Sequence, residues 1–508
     1  MNRYYNRRDF VKGFAVGGAA LASGIMLSGC NTGSADINGD IKWDEETDVV
    51  IIGSGFASCA AAIEAKTAGS SVRIFEKMDM PGGNSAICGG GLAVAHSPLH
   101  DKFGVKDSPE LLLEDMLKAG LNLNDVEKAR MVAEKSVEIS KWYIEFLGVK
   151  YLDHLVQDGG HSVPRILQTE SLSGSGILNP MLDKLKGMGV SVETNKKMNR
   201  IIKGKDGRVV GIEIAENYKF DSDSSSGSKY IKAKKALVLG GGGFAANVAF
   251  RCAQDPRLTE ELMCTNHEGA TGDAMIAAMS INAMPVQLDQ IQLGPWGCPD
   301  EKGFGLTPLF IIEGASQWGI YINPTTGKRF VSEMGDRKQR TDAMIAQGTP
   351  AILLIDSVGI EKINKDLVDR ILNKTLFSYN SVEELAGKYK IPQDALKETL
   401  SRYNSFIANG EDLDFKKLDI KNYLPIEKPP FYAVRLWPKI HHCMGGIMVN
   451  KECQVMNLDS KVIPGLYAAG EIASGTHGAC RLGGCGILDA LVCGRLAGQN
   501  ASKETPLS

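Results

Sequence analysis

Two histidines and one arginine near the C-terminus stand beside paired glycines, and together these residue types could bind and polarise a carboxylate. His441 and His442 precede one Gly-Gly pair, and Arg481 precedes another, Gly483-Gly484. Paired glycines let a backbone approach a flat ligand closely, because glycine has no Cβ. Histidine and arginine supply hydrogen-bond donors, and the arginine fork can hold a carboxylate through two parallel bonds. The pattern predicts a site where a flat cofactor and a carboxylate meet.

The first elements of the chain must hold that cofactor. Residues 47–52 form a short apolar run rich in β-branched side chains, which predicts a buried parallel strand. A helix is predicted over 59–68, and a second strand over 71–75. The order of strand, glycine turn, helix and strand predicts a dinucleotide-binding unit.

Four residues of this unit carry its fingerprint. Gly53 and Gly55 form the turn, Ser58 stands at the third glycine position, and Glu76 ends the second strand. In such a unit the turn amides and the helix N-terminus receive a pyrophosphate, while the acid accepts a hydrogen bond from a ribose hydroxyl. Ser58 is still small enough for close packing of helix against strand.

Three further glycine-rich segments predict that the ligand is long, which favours FAD over NAD. One follows the second strand, one follows an apolar strand predicted over 236–239, and one lies near the C-terminus. Their residues are Gly82, Gly83, Asn84, Ser85, Gly89, Gly90, Gly242, Gly243, Gly470 and Glu471.

Four motifs give the chain a family resemblance. They are HHCMGG at 441–446, RLGG at 481–484, ATGD at 270–273 and GKRFVSE at 327–333. On these motifs, over about residues 47–500, the chain resembles the fumarate reductase/flavocytochrome c flavoprotein family, which also includes urocanate reductase, aspartate oxidase and the ketosteroid dehydrogenases. The resemblance adds Lys77, Asp273, Leu482, Gly483 and Gly484 to the residues expected to bind FAD.

The resemblance implies an α/β fold in which a Rossmann-like FAD-binding domain is interrupted by a mobile α+β capping domain. The FAD-binding domain is expected over 47–287 and 441–508, with the cap over 288–440. Closure of the cap would exclude water from a hydride-transfer site. Because no histidine matches the attachment site of the covalent members, we expect FAD to be bound non-covalently.

The implied reaction is reduction of a carbon–carbon double bond beside a carboxylate. Reduced FAD would give the hydride, and His442 with Arg481 would bind and polarise the carboxylate, with His441 able to help. Arg337 matches the family's proton-donating arginine, and Glu313 matches its relay glutamate.

Some positions depart from the family or compete for a role. The local rival of Arg337 is Arg340. The family's relay arginine is replaced by Ser316, and a histidine that binds a second carboxylate is replaced by Gly294, with Trp296 two residues later. A glycine cannot bind a second carboxylate, so fumarate is disfavoured. The space at Gly294, together with Trp296, favours a monocarboxylate or a bulkier, less polar tail: methacrylate, acrylate, arylacrylate or urocanate.

Composition restricts the partners. The chain has 508 residues, 43% of them hydrophobic, and a formal net charge of −3 without a basic cluster, so we do not expect nucleic acid as a partner. None of the 11 cysteines lies in a CxxCH haem motif or in a spacing typical of zinc or iron–sulfur sites. We expect electrons from a separate c-type cytochrome, and we expect no metal site.

The N-terminus has the pattern of an export signal. Arg7 and Arg8 precede an apolar, glycine- and alanine-rich stretch over 14–27, as in twin-arginine signals. Cys30 ends an LSGC sequence that resembles a lipobox, so it could carry a lipid anchor. We expect a signal over 1–30, a polar linker over 31–46, and a periplasmic protein.

Two other activities fit part of the pattern. One is a ketosteroid-type FAD dehydrogenase, which would use tyrosine pairs. The other is an FAD electron-transfer subunit that has lost its substrate, as Gly294 and Ser316 could suggest. The presence of His442, Arg481 and Arg337 argues against both.

Overall fold

The structure is a computed structural model that describes residues 41–507. The predicted twin-arginine signal, Cys30 and most of the predicted linker lie outside the described residues. Within 41–507, none of the helices is long and apolar enough to cross a membrane.

The described chain contains both strands and helices. The strands are β1 Glu45–Ile52, β2 Val72–Phe75, β3 Gly91–Ala93, β4 Tyr151–Val156, β5 Ile166–Thr169, β6 Val192–Glu193, β7 Lys197–Lys203, β8 Val209–Glu216, β9 Gly227–Leu239, β10 Pro285–Val286, β11 Ile291–Gly294, β12 Ile320–Asn323, β13 Lys328–Arg329, β14 Ala351–Ile355, β15 Leu376–Tyr379, β16 Phe431–Leu436, β17 Lys439–Cys443, β18 Gly446–Ile447, β19 Gln454–Met456 and β20 Val462–Ala468. The α-helices are α1 Phe56–Thr67, α2 Gly83–Ile87, α3 Pro98–Phe103, α4 Pro109–Ala119, α5 Val126–Lys141, α6 Ser175–Gly187, α7 Val248–Gln254, α8 Asp273–Met279, α9 Thr307–Phe310, α10 Ser316–Trp318, α11 Arg337–Gln347, α12 Ser357–Ile360, α13 Lys365–Ile371, α14 Val382–Tyr389, α15 Gln393–Asn409 and α16 Cys485–Lys503.

An eight-stranded sheet organises the cofactor-binding part. Its order is β19-β20-β9-β1-β2-β6, the five strands from β20 to β6 are parallel, and the β7–β8 hairpin joins through β8 to β9. Val49 and Ile51 enter the core on one face, and Val50 and Ile52 enter the core on the other. Because both faces are covered, β1 is continuously apolar rather than alternating.

A second sheet of five antiparallel strands, in the order β13-β12-β14-β16-β15, lies within residues 320–436. It is also covered on both faces: Leu353 belongs to one core, and Ile352 and Leu354 belong to the other. β11 and β17 pair with each other. The segment that carries the second sheet therefore begins and ends at two neighbouring strands. The predicted fold class is confirmed: an FAD-binding-type α/β domain is interrupted by an α+β domain.

Local predictions agree with several of these elements. The strands expected over 47–52, 71–75 and 236–239 correspond to β1, β2 and the end of β9. These three strands are neighbours, so their carboxyl ends form one edge at the centre of the sheet.

Candidate functional site

The glycine turns at this edge line one long cavity. The backbone N–H of Gly53 donates to the Phe75 carbonyl at 2.8 Å, and that of Gly240 donates to the Ile52 carbonyl at 2.9 Å, so the three strand ends are tied together. Gly53 has φ +89°, and a Cβ there would lie 2.6 Å from the Gly240 carbonyl oxygen. Only glycine fits this turn.

Glu76 is held in place at the end of β2. One oxygen of its carboxylate accepts a bond from the Ser54 hydroxyl at 2.6 Å, and the other accepts from the Met78 N–H at 3.0 Å. The Ser54 hydroxyl also accepts from the Gly82 N–H at 2.8 Å, which links Glu76 to the second glycine loop. The carboxylate is therefore preoriented at the rim of the cavity.

The second loop is fastened to the first and to the ATGD segment. Ser85 accepts from the Phe56 N–H at 3.0 Å, at the start of α1. The side-chain amide oxygen of Asn84 accepts from the His267 N–H at 2.7 Å. Lys77 pairs with Asp273 at 2.6 Å. These contacts bring three parts of the sequence around one space: the first turn, the segment 77–85 and the segment 267–273.

Most of the residues predicted to bind the cofactor or act in catalysis line this cavity. The lining includes Gly53, Gly55, Glu76, Lys77, Gly82, Gly83, Asn84, Ser85, Gly89, Gly90, Gly242, Asp273, Arg337, His442, Gly470, Glu471, Arg481, Gly483 and Gly484. Four predicted residues are not in the lining: Ser58, Gly243, Leu482 and Glu313.

The cavity suits a long flat ligand such as FAD. A Cβ at Gly83 or Gly242 would meet no protein atom within 4 Å, so both glycines border open space. Ser58 supports the site from behind, because its hydroxyl faces the carbonyls of Ile52 and Gly240. The Gly53–Gly55 turn and the start of α1 would hold the pyrophosphate, and Glu76 would hold the ribose.

At one end of the cavity Arg481 meets the first histidine of the pair. The Arg481 Nη2 lies 2.7 Å from Nε2 of His441, whose Nδ1 lies 2.8 Å from the Thr265 hydroxyl. Burial, followed by the charge of Arg481, holds the pKa of His441 well below its usual value, so His441 is neutral and accepts the arginine's bond. Arg481 Nε is buried and has no partner in the described chain.

The second histidine, His442, faces Glu471 rather than Arg481. His442 Nδ1 lies 3.5 Å from Glu471, which accepts the Cys443 N–H at 2.9 Å. Burial lowers the pKa of His442 and raises that of Glu471, so the imidazole is neutral. His441 rather than His442 therefore contacts Arg481, although both rings line the cavity.

Arg337 is held by an aspartate that the sequence reasoning missed. Its Nη2 and Nε lie 2.7 and 3.2 Å from one oxygen of Asp158, and Arg340 Nη2 lies 3.1 Å from the other. Burial alone would raise the pKa of Asp158, but the two guanidinium groups hold it well below its usual range. Asp158 is therefore a buried anion that fixes Arg337 in the cavity wall.

Two glycines next to Asp158 gave a signal that could have revealed it. A Cβ at Gly159 would lie 2.3 Å from the Gly335 carbonyl oxygen, and Gly160 has φ +93°. The Gly-Gly pair brings the aspartate against the residues just before α11. The paired-glycine reasoning applied to His441 and Arg481 also fits this third pair.

Glu313 lies apart from Arg337. It stands in a π-type turn, Ile311–Ala315, that bends at Gly314, and its carboxylate contacts His154 Nε2 at 3.0 Å. This hydrogen bond raises the pKa of the half-exposed His154. The other oxygen of Glu313 is buried with no partner among the described residues. The Ser316 hydroxyl contacts the Tyr321 hydroxyl at 2.7 Å.

The space expected at Gly294 is filled. Trp296 is fully buried, and its indole covers the glycine, where a Cβ would come within 2.5 Å of the ring. The expectation of open room at this position was therefore wrong, because the tryptophan two residues later folds back over it.

Sequence comparisons place the chain among flavoproteins. The family profile described as FAD binding domain matches residues 48–487. The chain is 40% identical, over 499 residues and 97% of both chains, to the acrylate reductase flavoprotein subunit of Shewanella woodyi. It is 32% identical to urocanate reductase of Eggerthella lenta over 90% of this chain and 75% of that protein.

A solved structure shares the architecture. The open conformation of a flavocytochrome c3 fumarate reductase matches with a TM-score of 0.69 and 29% identity, over 99% of this chain and 81% of that one. With the glycine-lined cavity and the Arg481–His441 and Arg337–Asp158 pairs at one end of it, these matches lead to one conclusion. The chain belongs to the fumarate reductase/flavocytochrome c flavoprotein family, and it is an FAD-dependent oxidoreductase that acts on CH–CH groups.

Proposed function

We propose that the protein reduces the carbon–carbon double bond of a 2-enoate that carries one carboxylate. The observation that supports this most is that Arg481 and Arg337 both line the same end of the cavity, each with its own partner, His441 and Asp158. Reduced FAD supplies the hydride when it is bound. The relatives' names, acrylate reductase and urocanate reductase, agree with this substrate class.

Arg481 is the proposed carboxylate clamp. The side chain lines the cavity, where its Nη2 contacts His441 and its Nη1 donates to the Leu482 carbonyl at 3.2 Å. Its buried Nε has no partner in the described chain. Burial and the nearby charge of Arg337 lower the pKa of Arg481 to about 10, so it is a cation at neutral pH. A fixed cation at the carboxylate stabilises negative charge that develops there as the double bond is reduced.

Arg337 is the proposed proton donor. Asp158 holds its Nε and Nη2, whereas Nη1 has only a long contact of 3.5 Å with Gln292. Nη1 is therefore the nitrogen from which a proton can pass to the α-carbon, with rapid reprotonation afterwards. The rival, Arg340, is fully buried and is not among the lining residues.

Glu313 is the proposed proton relay. It is buried, and it contacts the half-exposed imidazole of His154, through which a proton can enter from solvent. Glu313 and Arg337 are not in direct contact in this structure, so the relay needs an intervening group or a movement of the surrounding turn.

The proposed domain boundaries divide the site between two parts of the chain. Trp296 and Arg337 come from the proposed cap, 288–440, and Arg481 comes from the FAD-binding domain, 47–287 with 441–508. Movement of the cap would open the site for exchange and close it against water.

Two other functions receive less support. A ketosteroid-type dehydrogenase would place tyrosine hydroxyls at its substrate, but no tyrosine is among the residues that line the described cavity. A purely electron-carrying subunit would not need a paired Arg481 and a paired Arg337 beside its flavin.

The test is turnover with reduced methyl viologen as the electron donor and acrylate, methacrylate, urocanate, fumarate or a ketosteroid as the oxidant. We expect viologen oxidation with at least one of the monocarboxylate enoates, and FAD released by mild denaturation. Turnover with the ketosteroid alone, or flavin that stays attached after denaturation, would contradict the proposal.

We also propose that the protein is exported folded, through the twin-arginine route, to a periplasmic location where a c-type cytochrome reduces it. The Arg7-Arg8 pair supports the export route, and Cys30 is the proposed site of a lipid anchor. Replacing both arginines by lysine should leave the holoprotein in the cytoplasm, and Cys30→Ser should release it from the membrane fraction. A Cys30→Ser protein that remains in the membrane fraction would refute the lipid anchor but would leave the proposed export route unaffected.

A further inference from the structure

The apolar wall of the substrate end consists of a few large side chains. Trp296, Phe304, Leu309 and Ile312 all line the cavity, as do His441 and Arg337. The Trp296 ring lies 4.6 Å from the His441 ring, edge on, and 5.4 Å from the Phe304 ring. The Arg337 guanidinium lies 5.4 Å from the centre of the same indole. One side chain therefore contacts both the partner of the carboxylate clamp and the proton donor.

The Trp296 indole occupies the space next to Gly294, so no larger residue fits at position 294 while the indole is there. An added Cβ at Gly294 would lie 2.5, 2.6 and 2.9 Å from Cη2, Cζ3 and Cζ2 of the indole, closer than such atoms approach in proteins. The indole is fully buried, and the rings of His441 and Phe304 pack edge on against it, which holds it over Gly294. The indole therefore stays in this place only while residue 294 is glycine.

We propose that Trp296 sets the size limit of the substrate, and that the enzyme is specific for short 2-enoates without a large substituent on the β-carbon. This inference rests on the proposed function of the same site. A substrate held between Arg481 and Arg337 must lie against the indole, because Trp296 contacts Arg337 and the histidine that contacts Arg481. A phenyl or imidazole ring on the β-carbon would press on this wall, so we expect arylacrylates and urocanate to be excluded and acrylate to fit.

The test compares kcat/KM for acrylate, crotonate and cinnamate in the wild type and in Trp296→Ala. We expect the wild type to prefer acrylate. Because one methylene group in a tight pocket changes selectivity by about 10- to 200-fold, Trp296→Ala should raise the cinnamate-to-acrylate ratio by at least about tenfold. The ratio is the readout, since losing the contact with Arg337 lowers turnover for every substrate.

Three further variants sharpen the test. Trp296→Phe removes the indole N–H but keeps a ring, so a small rise in the ratio indicates size rather than hydrogen bonding. Gly294→Ala should lower acrylate turnover in the wild type but have little effect in Trp296→Ala, where the clash is gone. Trp318→Ala removes an equal ring that packs on Tyr423, outside the cavity lining, and should leave the ratio unchanged.

Two outcomes separate this inference from the proposed function. If no enoate is reduced, the proposed function fails; the size limit is then measured from binding, as the change in flavin absorbance with propionate and 3-phenylpropionate. If the wild type reduces cinnamate within tenfold of acrylate, or if Trp296→Ala leaves the ratio unchanged, the role of Trp296 is refuted. Flavin content of each variant confirms that it is folded.

Discussion

Arg337 is a buried cation, and Asp158 in the cavity wall balances its charge. Arg337→Ala and Arg337→Lys should lower kcat by about two to four orders of magnitude, because a positioned proton donor is lost. FAD content should not change, since Arg337 is not expected to hold the cofactor.

The control for this prediction is Arg402→Ala. Arg402 also pairs with an aspartate, Asp414, but it lies on the surface of α15, far in sequence from the lining residues. It should retain full turnover. Near-normal turnover of Arg337→Ala with any 2-enoate would transfer the proton-donor role to another residue, with Arg340 as the first candidate.

The pKa of Arg481 predicts how substrate capture depends on pH. Burial lowers this pKa to about 10, so the side chain is charged below that pH and loses its charge above it. We therefore expect kcat/KM for acrylate to be level from pH 7 to 9 and then to fall, approaching tenfold per pH unit above 10. Reduced viologen assays across this range measure it. A fall centred near pH 6.5 would instead point to a histidine.

The residue types at the polar end were predictable from sequence, but their partners were not. Paired glycines marked His441, His442 and Arg481 as neighbours of a flat ligand. Which histidine meets Arg481 depends on how β17 presents alternate side chains. Asp158 meets Arg337 across 179 positions of sequence, and no local pattern predicts such a distant contact.

Helices α1 and α16 pack against each other, and α1 begins directly after the Gly53–Gly55 turn. The contact between the two helices depends on two glycines. A Cβ at Gly498 would lie 2.2 Å from the Ala61 carbonyl oxygen, and one at Gly494 would lie 2.4 Å from that of Ala57. Gly498→Ala should push the helices apart and lower the stability by about 1–3 kcal/mol. Because α1 begins at the FAD-binding turn, FAD content should fall as well.

A matched control for Gly498→Ala is Gly387→Ala in α14. A Cβ at Gly387 would meet no atom within 4 Å, so this change should be neutral or should stabilise the helix by up to about 1 kcal/mol. Thermal melting and flavin absorbance of both proteins measure the difference. Equal melting temperatures would show that the two helices can separate at no cost.

At this scale the sequence predicted regular elements better than their irregularities. The Asp-Gly pair at 206–207 is a turn sequence typical of hairpins, and β7 and β8 form a hairpin around it. The amphipathic pattern over 125–147 predicts one long helix, and α5 corresponds to it, but its last turn, Trp142–Phe146, widens to π-type. A second π-type turn, Ile311–Ala315, carries Glu313, which is not in direct contact with Arg337. A hydrophobic period of 3.6 residues does not reveal such local changes of pitch.

In the whole molecule, two sheets with separate cores build one site from distant parts of the chain. The domain type followed from the order of strands and glycine turns, which is local information. The filled space at Gly294 did not, because it depends on the packing of Trp296 against β11 and β17. Sequence patterns thus predicted the frame and the ligand class, whereas the shape of the substrate end required three-dimensional packing.

Buried neutral histidines make the stability of the whole molecule depend on pH. Burial lowers the pKa of His477 to about 4, below the value of 6.5 expected for an unfolded chain. Between these two values the unfolded state binds more protons, so the stability due to this group is complete above pH 6.5 and is lost as the pH falls towards 4. From pH 6.5 to 5.5 the loss is about 1 kcal/mol for one such histidine.

Replacing His477 by glutamine removes this proton-binding group and keeps a polar side chain of similar length. We expect wild-type holoprotein to lose melting temperature steadily from pH 7 to pH 5, because His441 and His442 are buried and neutral in the same way. The variant should lose less over the same range, by the share that corresponds to about 2 kcal/mol between pH 7 and pH 5. Thermal scans at saturating FAD prevent loss of the cofactor from contributing to the difference between the two melting temperatures. Identical slopes for the two proteins would mean that His477 accepts a proton in the folded state as readily as in the unfolded one. Its burial argues against this, because burial outweighs the attraction of Asp489, which lies 3.8 Å from its Nε2.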